Sequence, residues 1–383
     1  MRPFLLVSCL LAGAPSARAV EPETPAVRAR DLGVPFAFGA PGRWNAITDV
    51  PGVEVGHETL VRGEAVRTGV TVVLPRGRGE GARTPCFGAI FSLNGNGEMT
   101  GAHWVRESGI VEGPIALTNT NAVGVVRDAI IEYAARRWPP AGTGWTVWSL
   151  PIVAETWDGT LNDIYGRHVK AEHLAAAMGA AAPGPVAEGG VGGGTGMVCY
   201  GFKGGIGTAS RVLPAGQGGY TLGVLVQANH GRRPQLLIGG LPVGLELREG
   251  REGGEETGSI IIVVGTDAPL LPHQLERLAR RAALGLARTG GVAGNGSGDI
   301  FIAFSTANPE VAEAAKLITV AMLPNDRMDP IFEATVGATE EAIVNALVAG
   351  RTTHGYGGRT VLGLPHDRLR QILERHGRLA VGR

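Results

Sequence analysis

"GVAGNGSGDIFIAFSTAN", Gly291 to Asn308, places a serine between two glycines, an aspartate behind it and an apolar strand, Ile300 to Phe304, directly after. Asn-Gly and Ser-Gly are ordinary turn dipeptides, so one reading is a tight turn entering a buried strand. A second reading is chemical. Glycine before serine leaves the Gly296 carbonyl open to the Ser297 hydroxyl, and glycine tolerates backbone conformations that other residues resist. That arrangement favours an N-to-O acyl shift followed by hydrolysis. The new chain would begin at Ser297 with a hydroxyl nucleophile and a free α-amine, whose unperturbed pKa of about 7.7–8.0 suits a base near neutral pH.

Working outward, the long helix expected from Pro272 to Thr289 ends at Gly290-Gly291, just before this turn. "SIIIVVGTD" is continuous enough to be a strand buried on both faces. "ITDVPGVEVGH", "GVTVVLP", "CFGAIFSL", "PIALTNT", "WTVWSLPIVAETWDG", "GMVCYGFKGGIGTASRVL" and "YTLGVLVQAN" read as further strands. "AVGVVRDAIIEYAARRW" and "HVKAEHLAAAMGAA" carry helical spacing. Two more helices are expected to start at Asn308-Pro309 and at Asp329-Pro330. Strands and helices without regular alternation suggest two sheets with helices outside them, in one domain. The charged, glycine-laden stretch from Leu247 to Gly258 reads as an exposed loop.

Composition bounds the function. The chain has 383 residues, 44% of them hydrophobic, and a net charge of zero, which gives no basic surface for nucleic acid or anionic membrane. Its 61 glycines show no collagen period and point to tight turns and close backbone approaches. Residues 1–19 have a short positive start, an apolar stretch and the small-x-small pattern Ala17-Arg18-Ala19, so they are expected to be a secretory signal, with the remainder periplasmic or secreted. The two cysteines left after it, Cys86 and Cys199, permit one disulfide or two buried thiols. "GGVGGGTG", Gly189 to Gly196, lacks the Lys-Ser/Thr of a phosphate loop, and no HExxH or zinc spacing occurs, so neither a metal nor another cofactor is expected.

"NGSGDIFIAFSTAN", "PLLPHQLERLARRAALGLARTG", "AETWDGTLNDI", "LGVLVQANHG" and "DPIFEATVGATEEAIVNAL" together resemble the L-aminopeptidase D-esterase/amidase group and the related β-peptidyl aminopeptidases, from about Asn45 to Gly350. The resemblance implies an αββα four-layer sandwich of the N-terminal-nucleophile type, made as one chain and cut at Gly296-Ser297. Pieces of about 20–296 and 297–383 would stay together, and several αβ units would assemble, commonly as a homotetramer. Ser297 would be the nucleophile and Asn229 the oxyanion-stabilising amide. Glu155 would hold the substrate's free amino group. Trp157 stands where relatives often have a tyrosine contributing to the oxyanion site, and its indole can donate but not accept.

A hydroxyl and a glutamate two residues apart near the nucleophile would fall on Thr339 and Glu341, with Glu340 a competitor. A helical wheel puts Thr339 on the main apolar stripe and Glu341 on an alanine-rich side that would also have to be buried. Asn94 or Asn96, in a loop after a strand, are further pocket-lining candidates. The function implied is an exported, self-processing serine aminopeptidase that acts on short peptides, amides or esters through an acyl-enzyme. A self-cleaving amidohydrolase or acyltransferase with another substrate, or a non-catalytic exported binding protein, would be the alternatives.

Overall fold

Strand β11 (Ser259–Thr266) is buried at every position, and its alternating side chains serve two different cores. Ile260, Ile262 and Val264 face helices, whereas Ile261 and Val263 face a second sheet. The sequence run "SIIIVVGT" is apolar throughout because neither face of this strand meets water.

The computed structural model describes residues 27–139, 150–248, 258–312 and 317–380. The strands before β11 are β1 (Glu54–Arg62), β2 (Val66–Leu74), β3 (Cys86–Gly95), β4 (Ile110–Val111), β5 (Ile115–Asn119), β6 (Ile152–Thr156), β7 (Val198–Cys199), β8 (Phe202–Lys203), β9 (Gly205–Val212) and β10 (Thr221–Asn229); β12 is Gly298–Ser305. The helices are α1 (Ala102–Ser108), α2 (Val123–Arg137), α3 (Ala171–Ala180), α4 (Val243–Glu246), α5 (Pro272–Arg288), α6 (Asp329–Val348) and α7 (His366–Arg375). One sheet has the order β1-β2-β5-β6 and the other β4-β3-β12-β11-β10-β9.

Three apolar layers stack through the molecule. Val126, Ala129 and Ile130 of α2 and Leu174 and Met178 of α3 cover the outer face of the smaller sheet. Val55, Val73, Ile115, Ile206, Ile300 and Ile302 fill the space between the sheets. Leu275, Leu278 and Ala282 of α5 and Ala338, Ile343 and Leu347 of α6 cover the larger sheet. The result is the expected four-layer αββα sandwich. β12 sits inside the larger sheet, parallel to β11 and antiparallel to β3, so the strand after Ser297 has hydrogen-bonded neighbours on both sides.

Two sequence expectations change. Asn308-Pro309 starts only a 3-10 turn, Pro309–Ala312. Asn308 takes a left-handed φ of 56°, and its side chain closes a loop by bonding the backbone of Ala321 in both directions, at 3.0 and 2.7 Å, leaving no helix cap. The expected strand from Ile47 begins only at Glu54, because Ile47–Asp49 is a 3-10 turn and Gly52 turns the chain at a φ of 86°. The glycine run around Gly192–Gly194 is a packing device: a Cβ on Gly193 would lie 2.1 Å from Gln227 Oε1. Lys203 is buried beside it and donates to the Gly194 and Gly204 carbonyls, and burial lowers its pKa to about 7. Cys86 and Cys199 are both buried and form no disulfide. Residues 1–19 and most of the Leu247–Gly258 loop lie outside the described residues.

Candidate active site

Ser297 lies in the turn that its sequence suggested. Its N–H donates to the Gly294 carbonyl at 2.8 Å, closing a turn, and its buried hydroxyl donates to Asp299 Oδ1 at 2.7 Å. Asp299 Oδ1 also accepts from the Ile260 N–H at 3.2 Å, which fixes the carboxylate against β11. The Gly298 N–H donates to Ser259 Oγ at 3.1 Å.

Two asparagines of β3 and the loop after it close over the turn. Asn94 Nδ2 donates to Ser297 O at 2.6 Å and to Gly294 O at 2.8 Å. Asn96 Nδ2 donates to Gly296 O at 2.9 Å. Their aim comes from a bulge: Asp299 pairs with Asn94 but Ile300 pairs with Ser92, leaving Leu93 as an extra residue. A bulge of this kind bends a strand and redirects its side chains.

Antiparallel and parallel pairing bring the other candidates to the same end of the sandwich. Asn229 pairs with Ser259, whose hydroxyl bonds Gly298. Asn229 Nδ2 donates to Trp157 O at 2.9 Å, and Oδ1 accepts from Val198 N at 2.7 Å. Glu155, on β6, is buried and accepts from the Glu98 N–H at 3.0 Å and from the Thr120 hydroxyl. Burial raises its carboxyl above the usual carboxylate range despite those two bonds. A Cβ on Gly97 would lie 3.3 Å from Glu155 Oε1 and 3.2 Å from Gly298 Cα, so only a glycine separates this carboxylate from the residue after Ser297. Trp157 is 41% exposed and its ring lies over Gly159.

Neither Thr339 nor Glu341 hydrogen-bonds Ser297 among the described residues. Thr339 packs against Gly285 of α5, and its buried hydroxyl makes no hydrogen bond among the described residues. Glu341 does lie on a buried face, since α6 is covered on nearly every side. That face meets β9, the last strand of the larger sheet, where Glu341 accepts from Arg30 Nε at 2.6 Å, Arg30 Nη2 at 2.7 Å and Asn45 Nδ2 at 2.6 Å, and pairs with Arg211 Nη2 at 2.9 Å. β9 and β12 are separated by two strands, about 14 Å across the sheet. Burial alone would raise the Glu341 carboxyl, but the bonds from Arg30 and the charge of Arg211 hold it below the usual range. Glu340 pairs with Arg288 Nε at 2.5 Å. The wheel found a buried acid correctly; it could not say which end of which sheet the acid would meet.

Sequence reasoning gave no role to Asp299, Thr120 or Ser259. Asp299 carried a usable signal, an acid two residues after the serine at the start of a strand. Thr120 and Ser259 are placed by long-range pairing that no local pattern encodes.

Comparison with known proteins gives the family and the fold. The family model for peptidase family S58 matches residues 45–361. A β-peptidyl aminopeptidase, BapA of Sphingosinicella microcystinivorans, is 52% identical over 406 aligned positions, covering all of this chain and 98% of the relative. A solved β-aminopeptidase from Burkholderia sp. superimposes with a TM-score of 0.84 at 51% identity, covering 92% of this chain and 99% of that one. The L-aminopeptidase D-Ala-esterase/amidase of Ochrobactrum anthropi, described as a prototype serine aminopeptidase and a variant of the Ntn hydrolase fold, gives 0.86 at 46% identity, with 92% and 99% coverage. The chain belongs to peptidase family S58 and is a serine aminopeptidase with an Ntn-hydrolase fold.

Proposed function

We propose that this protein is an exported aminopeptidase that cuts its own chain at Gly296-Ser297. It then removes N-terminal residues from short peptides, amides and esters through an acyl-enzyme on Ser297. The observation that carries the reading is the convergence of Ser297, Asn229 and Glu155 at one end of the two sheets. Once cut, the Ser297 α-amine is the base beside its own hydroxyl. Asn229 keeps one N–H beyond its bond to Trp157 O for the developing oxyanion. Glu155, in its ionised form, pairs with the substrate ammonium and so selects a free N-terminus.

The cut pieces stay together for a structural reason. β12 belongs to the smaller piece and lies between β11 and β3 of the larger one, so separation would open the sheet on both sides. The pattern of residues 1–19 supports export. The names of the matched relatives make β-aminoacyl compounds the first substrates to try, with L- and D-aminoacyl compounds beside them. The test combines intact mass and N-terminal sequencing with release of p-nitroaniline from β-alanyl, L-alanyl and D-alanyl p-nitroanilides. Two fragments, the smaller beginning Ser-Gly-Asp-Ile, and free amino-acid product support the reading. A single uncut, folded chain without turnover sinks it.

A further inference from the structure

The α-amine that serves turnover does not exist before the chain is cut. Until then the Ser297 nitrogen is an amide, occupied as a donor to Gly294 O, and an amide N–H is no base. The first cut therefore needs a different proton acceptor. It also needs a donor at a different carbonyl, since the Asn229 amide bonds Trp157 O and Val198 N and is not on Gly296 O. Both needs are met within the turn. The Ser297 hydroxyl already points its proton at Asp299 Oδ1, 2.7 Å away. The carbonyl oxygen of the bond to be cut, Gly296 O, already accepts from Asn96 Nδ2 at 2.9 Å.

We propose that Asp299 and Asn96 form a cleavage site used once, separate from the residues that serve turnover. This rests on the self-processing reading above. Ser297 Oγ attacks the Gly296 carbonyl carbon while its proton passes to Asp299. The carbonyl oxygen takes the negative charge against the Asn96 amide. The tetrahedral adduct collapses by breaking the Gly296–Ser297 C–N bond, and the departing nitrogen receives the proton from Asp299. The product is an ester between Gly296 and Ser297 Oγ with a free α-amine. Water, the only co-reactant, then hydrolyses the ester, leaving a Gly296 carboxylate and restoring the hydroxyl. Asn94 is a positioning residue in this scheme: it holds Ser297 O, one residue after the reacting carbonyl, and Gly294 O, two residues before it.

The test follows full-length chain made as a pulse in cell-free translation, with cutting read against time by intact mass. Wild type is expected to cut and Ser297→Ala to stay whole. Asn96→Ala should cut about 100- to 1000-fold more slowly, the usual loss for one oxyanion donor. Asp299→Asn, which keeps the Oδ1 acceptor for Ile260 N–H, should slow cutting at least as much. Asn94→Ala should slow it less than Asn96→Ala, because its amide does not touch the reacting carbonyl. Asn96 is exposed, so its truncation leaves the core intact and its result stands whatever Asp299→Asn does to folding. Wild type that never cuts overturns the self-processing reading. Wild type that cuts while Asn96→Ala keeps pace within about threefold overturns the Asp299–Asn96 site alone.

Discussion

Asn229 ties the two sheets together at the end where Ser297 sits, its Nδ2 donating to Trp157 O of the segment after β6 at 2.9 Å. With Oδ1 accepting from Val198 N, the side chain has one N–H left to donate. Asn229→Ala should therefore do two things at once. Loss of an oxyanion donor lowers kcat about 100- to 1000-fold. Two main-chain groups lose their partners, at about 1–3 kcal/mol each, so Tm falls as well. Turnover of an aminoacyl p-nitroanilide and thermal melting of the same preparation measure both. A lower Tm with unchanged kcat would leave Asn229 as a sheet tie and nothing more.

Glu155 should give the enzyme an acid limb in KM. Its carboxyl is raised by burial, so it takes up a proton at a higher pH than an exposed glutamate and then cannot pair with the substrate ammonium. KM is expected to rise as pH falls through that raised pKa, with kcat changing less. Glu155→Gln should raise KM at neutral pH about 10- to 100-fold, the loss of a charged hydrogen bond, and flatten the acid limb. A variant that keeps the wild-type KM and its pH profile would remove Glu155 from substrate binding.

How much of this was legible before the structure depended on distance along the chain. β11 could be read from its unbroken apolar run and α5 from its proline start and glycine stop, because those signals are local. The turn at Ser297 was legible as a chemical possibility for the same reason. Asn308-Pro309 misled because the asparagine bonds Ala321, thirteen residues on, and a cap motif does not register such a competitor. The assignment of Glu341 failed to meet Ser297 for a related reason. A helical wheel ranks faces by polarity but holds no information about Arg30 or Arg211, the two arginines that claim this carboxylate from remote parts of the sequence.

Glu341→Gln should act on stability. The substitution leaves Arg30 and the fully buried Arg211 without their counter-charge, a change that typically costs about 3–5 kcal/mol. Since the folded carboxyl is held below its ordinary pKa, the stabilisation is present above the unfolded pKa of about 4.3 and is lost as pH falls through the lower folded value. The Tm difference between wild type and variant should be full at pH 7 and shrink at strongly acid pH. Urea melts at several pH values check it. Equal stability at pH 7 combined with abolished turnover would instead return Glu341 to the chemistry.

Trp157 should govern which first residues are accepted. Its ring is 41% exposed, lies over Gly159 and follows Glu155 by two positions. Trp157→Ala opens that wall, so kcat/KM for a bulky first residue should rise relative to that for alanine by about tenfold, the scale of one or two methylenes in an apolar pocket. Paired assays on leucyl and alanyl p-nitroanilides read the ratio. An unchanged ratio would place the ring outside the substrate path.

Asp158 makes the opposite pH prediction from Glu341. It is fully buried, its Oδ1 accepts from Asn162 Nδ2 at 3.0 Å, and its Oδ2 makes no hydrogen bond among the described residues. Burial pushes its carboxyl up to about 7, against smaller opposing contributions from Thr68, Asn162 and Asn119. Between the ordinary aspartate value of about 3.9 and that raised value, the unfolded chain has released a proton that the folded chain keeps. Stability should therefore fall as pH rises from about 4 to about 7 and level off above, by at most about 4 kcal/mol from this group. Asp158→Asn removes the ionisable group while keeping the Oδ1 acceptor. It should be more stable than wild type at pH 8, and the gain should disappear at pH 4. Urea midpoints at pH 4, 6 and 8 decide the matter: parallel curves for the two proteins would mean that Asp158 stays ionised in the folded chain and that a partner compensates its buried charge.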